Sequence, residues 1–175
     1  MPTIDDITYE ERVYNLIQEV FSLNSVQYDF LDYSVTAIEQ NVVDPNFNSV
    51  MKLAPINTNL QLPNLELNFN RKSLEEVKAL ANLKIKQATR TTTVYQLLGE
   101  INEQLKPFNL TIEESDVYNT FTASPVTGDT ITKNFIVLHS SVESFFYNSS
   151  TTVEIDFFNH ELRVSVKVTL EDKAP

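Results

Sequence analysis

A helix pattern followed by short strand patterns occurs twice in this chain, and that repeated order constrains the fold more than any other feature. Thr8 and Glu11 have the spacing of a capping box, which satisfies two backbone N–H groups at a helix start. The apolar residues that follow lie at helical spacing and form one stripe: Val13, Leu16, Ile17, Val20 and Phe21. We therefore predict a helix that starts after Thr8 and ends at Asn24 and Ser25.

The second helix pattern repeats the first. Thr91, Thr92 and Thr93 offer caps, and Pro107 ends the helix because proline cannot continue it. The apolar stripe between them is Val94, Leu97, Leu98, Ile101 and Leu105. The two helices also have similar sequences over five residues: Val13-Tyr14-Asn15-Leu16-Ile17 aligns with Val94-Tyr95-Gln96-Leu97-Leu98.

Strand patterns follow each helix. The first helix is followed by a segment around Tyr28 to Val35 that is rich in strand-favouring residues, and then by an Asn/Asp/Pro loop from Asn41 to Ser49. An extended piece at 50–53 and an alternating strand at 65–69 come next. The second is followed by extended pieces at 110–112, 117–123 and 135–138, and the alternating text 153–157 matches 65–69. We predict an α+β fold: two tandem copies of a helix packed on a small, mostly antiparallel sheet, with units 1–86 and 87–175.

The C-terminal text has the register of a β-hairpin. With Asn159-His160 as a two-residue turn, Phe157 opposes Leu162, and the apolar row continues with Ile155 opposite Val164 and Val153 opposite Val166. The last strand alternates strictly up to Leu170. Such a long alternating strand is available for edge pairing with another chain.

The segment from Ser73 to Lys86 supports two interpretations. Ser73 and Glu76 have capping-box spacing before apolar residues at helical intervals, whereas Val77, Ala79, Ala81, Leu83 and Ile85 alternate as in a strand. We predict a strand here, or a turn of helix that leads into one.

Missing residue types exclude several kinds of chemistry. The chain has no Cys, which rules out disulfides, thiolate metal sites and thiol nucleophiles, and fits a reducing compartment. Its two glycines, Gly99 and Gly128, stand too far apart for a phosphate-binding loop. The text of residues 1–6 lacks a basic and an apolar region, so we expect no secretory signal, and no apolar run is long enough to span a membrane.

The net charge of −11 disfavours nucleic acid and anionic membranes as direct partners, because an acidic surface repels phosphates. Basic residues concentrate only between Arg71 and Arg90, where Glu75 and Glu76 interrupt them. We interpret that stretch as solvated surface.

Candidate catalytic and metal-binding groups are sparse. His139 ends a strand pattern and His160 lies in the hairpin turn, and no glycine-flanked elbow exposes Ser140 or Ser141. The text Asp44-Pro45-Asn46-Phe47-Asn48 begins like a calcium loop, but Ser49 and Pro55 stand where that loop needs Gly and Glu. Glu113, Glu114, Asp116 and Asp129 could act as paired carboxylates only if two of them met in a cleft. We expect no enzyme, no metal and no cofactor.

Phe145, Phe146 and Tyr147 place three rings together before a turn. Successive residues of an extended chain point to opposite sides, so at most alternate rings can face one core. We predict a partner contact at these three residues, because exposed apolar clusters usually mark interaction sites. The alternative is that the segment is buried between the two units.

The text around the second helix resembles repeat modules in virion structural proteins of large tailed bacteriophages. Those modules open with T-x-Y-x-L-L, I-N, L-T and D-V, and here the matching text is Thr93-Val94-Tyr95-Gln96-Leu97-Leu98, Ile101-Asn102, Leu110-Thr111 and Asp116-Val117. Val137 and Leu138 stand where the modules end in an apolar strand. The resemblance covers Thr91 to Phe157 and matches core and cap positions, while the glycine usual near Asn148 is missing.

This resemblance implies a structural component of a tailed phage virion, in the neck, tail or baseplate. Its partners would be other virion proteins in a symmetric ring or homo-oligomer, and the chain would be synthesised in the host cytoplasm. Two alternatives stay open: a head decoration or host-attachment module, and a small acidic cytoplasmic regulator or inhibitor that binds a basic protein.

Overall fold

A computed structural model of the chain describes residues 7–86, 92–120 and 134–155. These residues form an α+β fold with three α-helices and eight strands, most of them in small antiparallel sheets. The elements in chain order are α1 Tyr9–Leu23, β1 Tyr33–Gln40, β2 Ser49–Pro55, β3 Leu65–Phe69, β4 Lys72–Ser73, α2 Leu74–Ala81, β5 Lys84–Ile85, α3 Val94–Leu105, β6 Asn134–His139, β7 Tyr147–Asn148 and β8 Ser150–Ile155.

Helix α1 begins with the predicted capping box. The backbone N–H of Glu11 donates to the Thr8 hydroxyl at 3.2 Å, and the N–H of Thr8 donates to the Glu11 carboxylate at 3.1 Å. The helix ends at Leu23 with Asn24 as its cap. The predictions for this helix and for α3, which ends at Leu105 before Pro107, are confirmed.

The first half folds as α1 against an antiparallel sheet of order β1-β2-β3. Met51 lies opposite both Ile38 and Leu67, so the three strands place apolar side chains on one face. Buried apolar residues there form the first cluster: Val20, Phe21, Tyr33, Met51, Leu53, Leu67 and Phe69. The predicted extended piece at 50–53 and the strand at 65–69 lie within β2 and β3.

The second half packs α2 and α3 against a sheet of order β5-β8-β6. Strand β8 pairs antiparallel with β6 and parallel with β5, and β4 pairs parallel with β7. The second cluster has sixteen buried apolar residues, among them Leu74, Val77, Leu97, Ile101, Ile112, Ile136, Tyr147 and Val153.

Side-chain amides replace missing backbone partners at four places in the described residues. An amide carries one acceptor and one donor group, so it can bracket both the N–H and the C=O of a single residue as a neighbouring strand would. Each bracket uses two hydrogen bonds of 2.8–3.1 Å. The pairs are Asn24 with Asn68, Asn48 with Arg71, Asn102 with Ile112 and Gln104 with Lys84.

Residues 74–85 follow the second form of the prediction, a turn of helix that leads into a strand, but the helix is longer than one turn. Helix α2 spans eight residues and is followed by the two-residue strand β5. Leu74, Val77, Leu83 and Ile85 pack in the second cluster, although the sequence placed them in the unit 1–86. An apolar stripe specifies which face is buried but not against which element it packs.

Three further strand predictions have different outcomes. Strand β6 contains the piece predicted at 135–138, whereas residues 110–112 lie in no strand, because the Asn102 side chain already brackets Ile112. Of the piece at 117–123, the described part forms an isolated bridge between Val117 and Ser140. The C-terminal hairpin beyond Ile155 lies outside the described residues, and the tandem duplication stays a prediction.

Replacing Asn102 by Ala should destabilise the fold by about 1–3 kcal/mol, because the buried N–H and C=O of Ile112 lose both partners. Urea unfolding followed by circular dichroism measures the change. As a matched control, Asn15→Ala at an exposed position of α1 should shift the unfolding free energy by less than about 0.5 kcal/mol. Equal effects of the two variants would contradict the proposed role of the bracket.

Candidate functional site

The aromatic segment predicted as a partner contact lies where the two apolar clusters meet. Phe145 packs against the first cluster, and Phe146 packs against the second. Tyr147 is a buried member of the second cluster, and its hydroxyl donates a 2.6 Å hydrogen bond to the carbonyl of Thr111. Burial raises the pKa of Tyr147, so this hydroxyl remains a proton donor at physiological pH.

None of these three rings is exposed. Their arrangement agrees with the alternative interpretation, in which the segment is buried between the two halves, and we no longer place a partner contact there. Phe145 and Phe146 point to different clusters, as expected for successive residues of an extended chain. Because an apolar cluster lies on each side of the segment, both rings are covered.

Arg12 connects helix α1 to this segment. Its guanidinium lies 4.3 Å from the centre of the Phe146 ring, and Tyr9 contacts the same ring edge-on with centroids 5.7 Å apart. The Arg12 side chain is about nine-tenths buried and also pairs with Glu113, with N and O 3.7 Å apart. A buried cation over an aromatic ring contributes about 2 kcal/mol, so this contact is a substantial link between the two halves.

Arg71 forms a second link. It is buried, its Nε donates to the Ser49 hydroxyl at 2.7 Å and its Nη1 donates to the carbonyl of Ser144 at 3.1 Å. Burial lowers the pKa of Arg71, but the guanidinium stays charged at any physiological pH. The sequence analysis placed Arg71 in a solvated basic stretch, and the structure corrects this, because neutral oxygens from both halves surround the side chain.

Asp116 and Ser144 fix the aromatic segment through hydrogen bonds at its N-terminal end. Ser144 donates to the Asp116 carboxylate at 2.7 Å and accepts the backbone N–H groups of Phe146 and Tyr147 at 3.3 and 3.1 Å. The other Asp116 oxygen accepts the N–H of Glu113 at 3.0 Å. Burial is the largest influence on the Asp116 carboxyl and raises its pKa, although these hydrogen bonds and Arg12 oppose the shift.

This arrangement holds structure together and offers no reactive group to a substrate. Asp116 and Ser144 are fully buried, and their polar atoms are already hydrogen-bonded. The carboxylates singled out from the sequence do not converge in a cleft within the described part of the chain: Glu113 pairs with Arg12, and Glu114 is exposed. Asp129 lies outside the described residues.

The remaining candidate residues have local roles. His139 is exposed and stacks on Tyr118 with ring centroids 5.3 Å apart, and His160 lies outside the described residues. The Asp44 carboxylate accepts two hydrogen bonds from Asn46, as expected for a polar turn. No group of metal-binding side chains occurs among the residues described.

The sequence analysis missed Arg12, Arg71 and Ser144 as parts of one site. Arg12 and Arg71 lie in the first half of the chain and Ser144 in the second, and the hydrogen bond from Arg71 to Ser144 joins residues 73 positions apart. The one sequence feature that could have indicated this site is Arg12, the single basic residue of the amphipathic helix α1. A pattern in one sequence does not distinguish such an arginine from a residue on the surface.

Comparison of the chain with protein-family models, with curated proteins and with solved structures finds no match. Within the described residues, no helix has both the length and the apolar character needed to cross a bilayer.

Replacing Asp116 by Asn should change how stability depends on pH. The ordinary pKa of the carboxyl is 3.8 and folding raises it, so the stabilising contribution of Asp116 is fully present below pH 3.8 and is lost as the pH rises through the folded-state pKa. The difference in unfolding free energy between wild type and Asp116→Asn should therefore fall with rising pH. Urea titrations from pH 3.5 to about pH 7 measure it.

The exposed Asn15 provides the control for this titration. Asn15→Ala changes no ionisable group, so the difference between wild type and this variant should stay flat over the same pH range. A difference for Asp116→Asn that is equally flat, or that rises with pH, would contradict the burial-driven shift.

A double-mutant cycle tests the link between α1 and the aromatic segment. Arg12→Met and Phe146→Leu, singly and together, should give a coupling energy of about 2 kcal/mol in urea unfolding, because each change removes one partner of the buried cation–ring contact. The exposed pair Lys52 and Glu66, 4.0 Å apart, serves as the reference cycle and should couple by less than about 0.5 kcal/mol. Indistinguishable cycles would show that the contact adds nothing.

Proposed function

We propose that this chain is a non-enzymatic structural component of a tailed phage virion, placed in the neck, tail or baseplate and acting through protein–protein contacts. The observation that carries the proposal is the resemblance of the text around α3 to repeat modules of phage virion proteins. The structure supports it in one respect: the matched residues between Thr93 and Val117, all of which the structure describes, lie at the cap of α3, in α3 or in the segment that follows it, and the apolar ones contribute to the second cluster.

Each sequence segment that matches the phage repeat modules has a packing or capping role. The N–H of Thr93 is capped by the Gln96 side chain, Leu97 and Leu98 are buried in the second cluster, and Asn102 brackets Ile112. At the end of the text, the Tyr95 hydroxyl donates to the carbonyl of Val117. The matched residues named here therefore have structural uses, as expected for a repeated structural module.

The buried contacts between the two halves of the chain, which we call the junction, fit the same function. Arg12 and Arg71 join the halves through buried contacts, to the Phe146 ring and to the carbonyl of Ser144, so the described residues form a continuous packed body instead of two loosely tethered modules. A particle component must keep its shape between neighbours, and buried polar groups with specific hydrogen-bond partners, such as Arg71 and Asp116, favour one arrangement. We propose other virion proteins as its partners, in a symmetric ring or homo-oligomer, with synthesis in the host cytoplasm before assembly.

Mass spectrometry of purified virions tests this proposal. Virions of the phage that encodes the chain should contain it at a fixed copy number per particle, at a level similar to that of the other minor structural proteins. A phage protein that is abundant in infected cells but not packaged should be absent from the same preparation and serves as the control. Absence of the chain from clean virions would contradict the proposal.

Cross-linking of intact virions separates the proposal from its alternatives. Cross-links to neck, tail or baseplate proteins are expected. Cross-links only to the major capsid protein would instead identify a head decoration. Recovery solely from cell lysate with a basic protein, in a complex that salt dissociates, would identify an acidic regulator.

A further inference from the structure

Three sheet edges in the described part of the chain receive hydrogen bonds from a helix or a loop. At β3 and at β5, the amide brackets of Asn24 and Gln104 take the place of a neighbouring strand. At β6, the N–H of Tyr118 donates to the carbonyl of His139 at 2.9 Å. The fold therefore supplies hydrogen-bond partners where an outer strand would otherwise leave its backbone groups unpaired.

Strand β1 is an outer strand too, and it pairs with β2 along one side. In an antiparallel pair, the backbone groups of successive residues point alternately toward the neighbouring strand and away from it. Two hydrogen bonds at the ends of β1 show which residues point toward β2. The N–H of Asn41 donates to the carbonyl of Asn48 at 2.9 Å, and the N–H of Ile56 donates to the carbonyl of Asp32 at 2.8 Å.

Counting inward from these two bonds, the backbone groups of Val35, Ile38 and Gln40 point away from β2. Among the residues that the structure describes, no strand, loop or side chain pairs with this side of β1. We call it the open edge. The eight residues of β1 span about 26 Å, which is room for a further strand of ordinary length.

The side chains along the open edge differ on the two faces of the sheet. Val35 and Ile38 are half-buried and pack against the first cluster, so a further strand with apolar residues on that face would extend the cluster. On the other face, Ser34, Thr36 and Glu39 are exposed. A strand that fits both faces alternates apolar residues with polar or charged ones.

The charged groups around the open edge are mainly acidic. The sequence has no Lys or Arg between Arg12 and Lys52, and the carboxylates in that interval are Glu19, Asp29, Asp32, Glu39 and Asp44. Lys52, on the neighbouring strand, already lies 2.8 Å from a Glu39 oxygen and 4.0 Å from a Glu66 oxygen. This charge attracts a basic segment and repels an acidic one.

Two observations disfavour the same edge of a second copy as the occupant. The register of β1 shifts between Val35 and Ala37, and a bulge of this kind interrupts continuous pairing between two identical edges. Two copies would also bring the same acidic groups together, each with a net charge of −11. The backbone groups of the edge require an extended chain, and the charge requires that this chain be basic.

We propose that the open edge of β1 binds an extended segment of another protein in which apolar residues alternate with Lys or Arg. The segment pairs with the backbone of Val35, Ile38 and Gln40, as in other cases of strand addition to a sheet edge. Its apolar side chains cover the first cluster, and its basic side chains lie on the face of Glu39. The inference deepens the proposed function, on which it rests for the source of the segment, a neighbouring virion protein.

Binding of synthetic peptides to the full chain tests the inference. The probe is the fluorescent peptide Lys-Val-Thr-Val-Lys-Val-Thr-Val-Lys, and fluorescence anisotropy measures its binding. Wild type should bind one peptide per chain, and added salt should weaken binding because it screens the attraction. The same peptide with Glu in place of each Lys should bind about tenfold more weakly or not at all.

N-methylated peptides test whether the contact is a backbone pairing. In a strand, only every second N–H faces the neighbouring strand. Methylating the backbone nitrogens of two valines and methylating those of the two threonines should therefore have different effects. One pattern should abolish binding, and the other should leave it unchanged.

Gln40→Pro tests the protein side of the contact. Gln40 is exposed and its N–H points away from β2, so proline removes a donor for the peptide without removing a hydrogen bond of the sheet. This variant should bind the lysine peptide about tenfold more weakly, whereas the matched control Gln40→Ala should bind as wild type does. Circular dichroism checks that both variants fold.

Hydrogen exchange of wild type followed by ¹⁵N NMR gives a second measurement that needs no variant. The lysine peptide should slow exchange at the amides of Val35, Ile38 and Gln40. The amide of Asn68 is the control, because the Asn24 side chain already occupies that position on β3. Its exchange should not change.

Several results would overturn the inference: no binding of the lysine peptide, equal binding of the glutamate peptide, or equal effects of the two methylation patterns. Residues 162–170 of this chain also alternate and contain Arg163 and Lys167. Peptide binding that occurs only in the variant Val164→Pro/Val166→Pro would assign the open edge to that segment of the chain itself, and would also overturn the inference.

The outcomes separate the inference from the proposed function. A chain that is found in virions but fails the peptide tests would refute the inference alone. A chain that binds the lysine peptide at the open edge but is absent from virions would refute only the proposed function.

Discussion

The hydrogen bond from Ser144 to the buried carboxylate of Asp116 is the interaction on which the junction depends. It fixes the turn whose next residues, Phe145 and Phe146, reach the two apolar clusters, and the carbonyl of the same serine accepts Arg71 from the first half. Removing one partner would leave a buried polar group unsatisfied, which costs more than the hydrogen bond itself contributes. The packing of the two clusters on each other is therefore coupled to a few polar atoms.

Asparagine takes over tasks that glycine and longer strands perform in other proteins. The chain has only two glycines, and the left-handed residues that end α2 and the turn after α3 are Asn82 and Asn109. Asn24 and Asn102 bracket backbone groups that no neighbouring strand reaches. Short sheets can thus be completed by helix side chains, and this ties each helix to its sheet by hydrogen bonds as well as by apolar packing.

Charged and apolar groups have different positions inside the molecule and on the surface of the first sheet. Inside, charged groups such as Arg12 and Asp116 sit where the halves join, and each is held by specific partners. On the first sheet, charged groups occupy the side, and apolar groups occupy the ends. Desolvating an apolar surface is favourable whereas desolvating a charged surface is costly, so the ends of this sheet are better suited to burial than its charged side.

The sequence by itself determined the elements whose signals are local. The capping box and apolar stripe of α1, the stripe of α3, the alternation in β3 and the extended pieces within β2 and β6 each depend on residues a few positions apart, and all lie close to where the sequence predicts them. Only the tertiary structure decided which other helix or strand each apolar face packs against. It placed residues 74–85 in the second cluster, buried Arg71 and turned the aromatic segment inward. Those outcomes depend on contacts between residues distant in the chain, such as Arg71 and Ser144, which are 73 positions apart, and a periodic pattern carries no information about them.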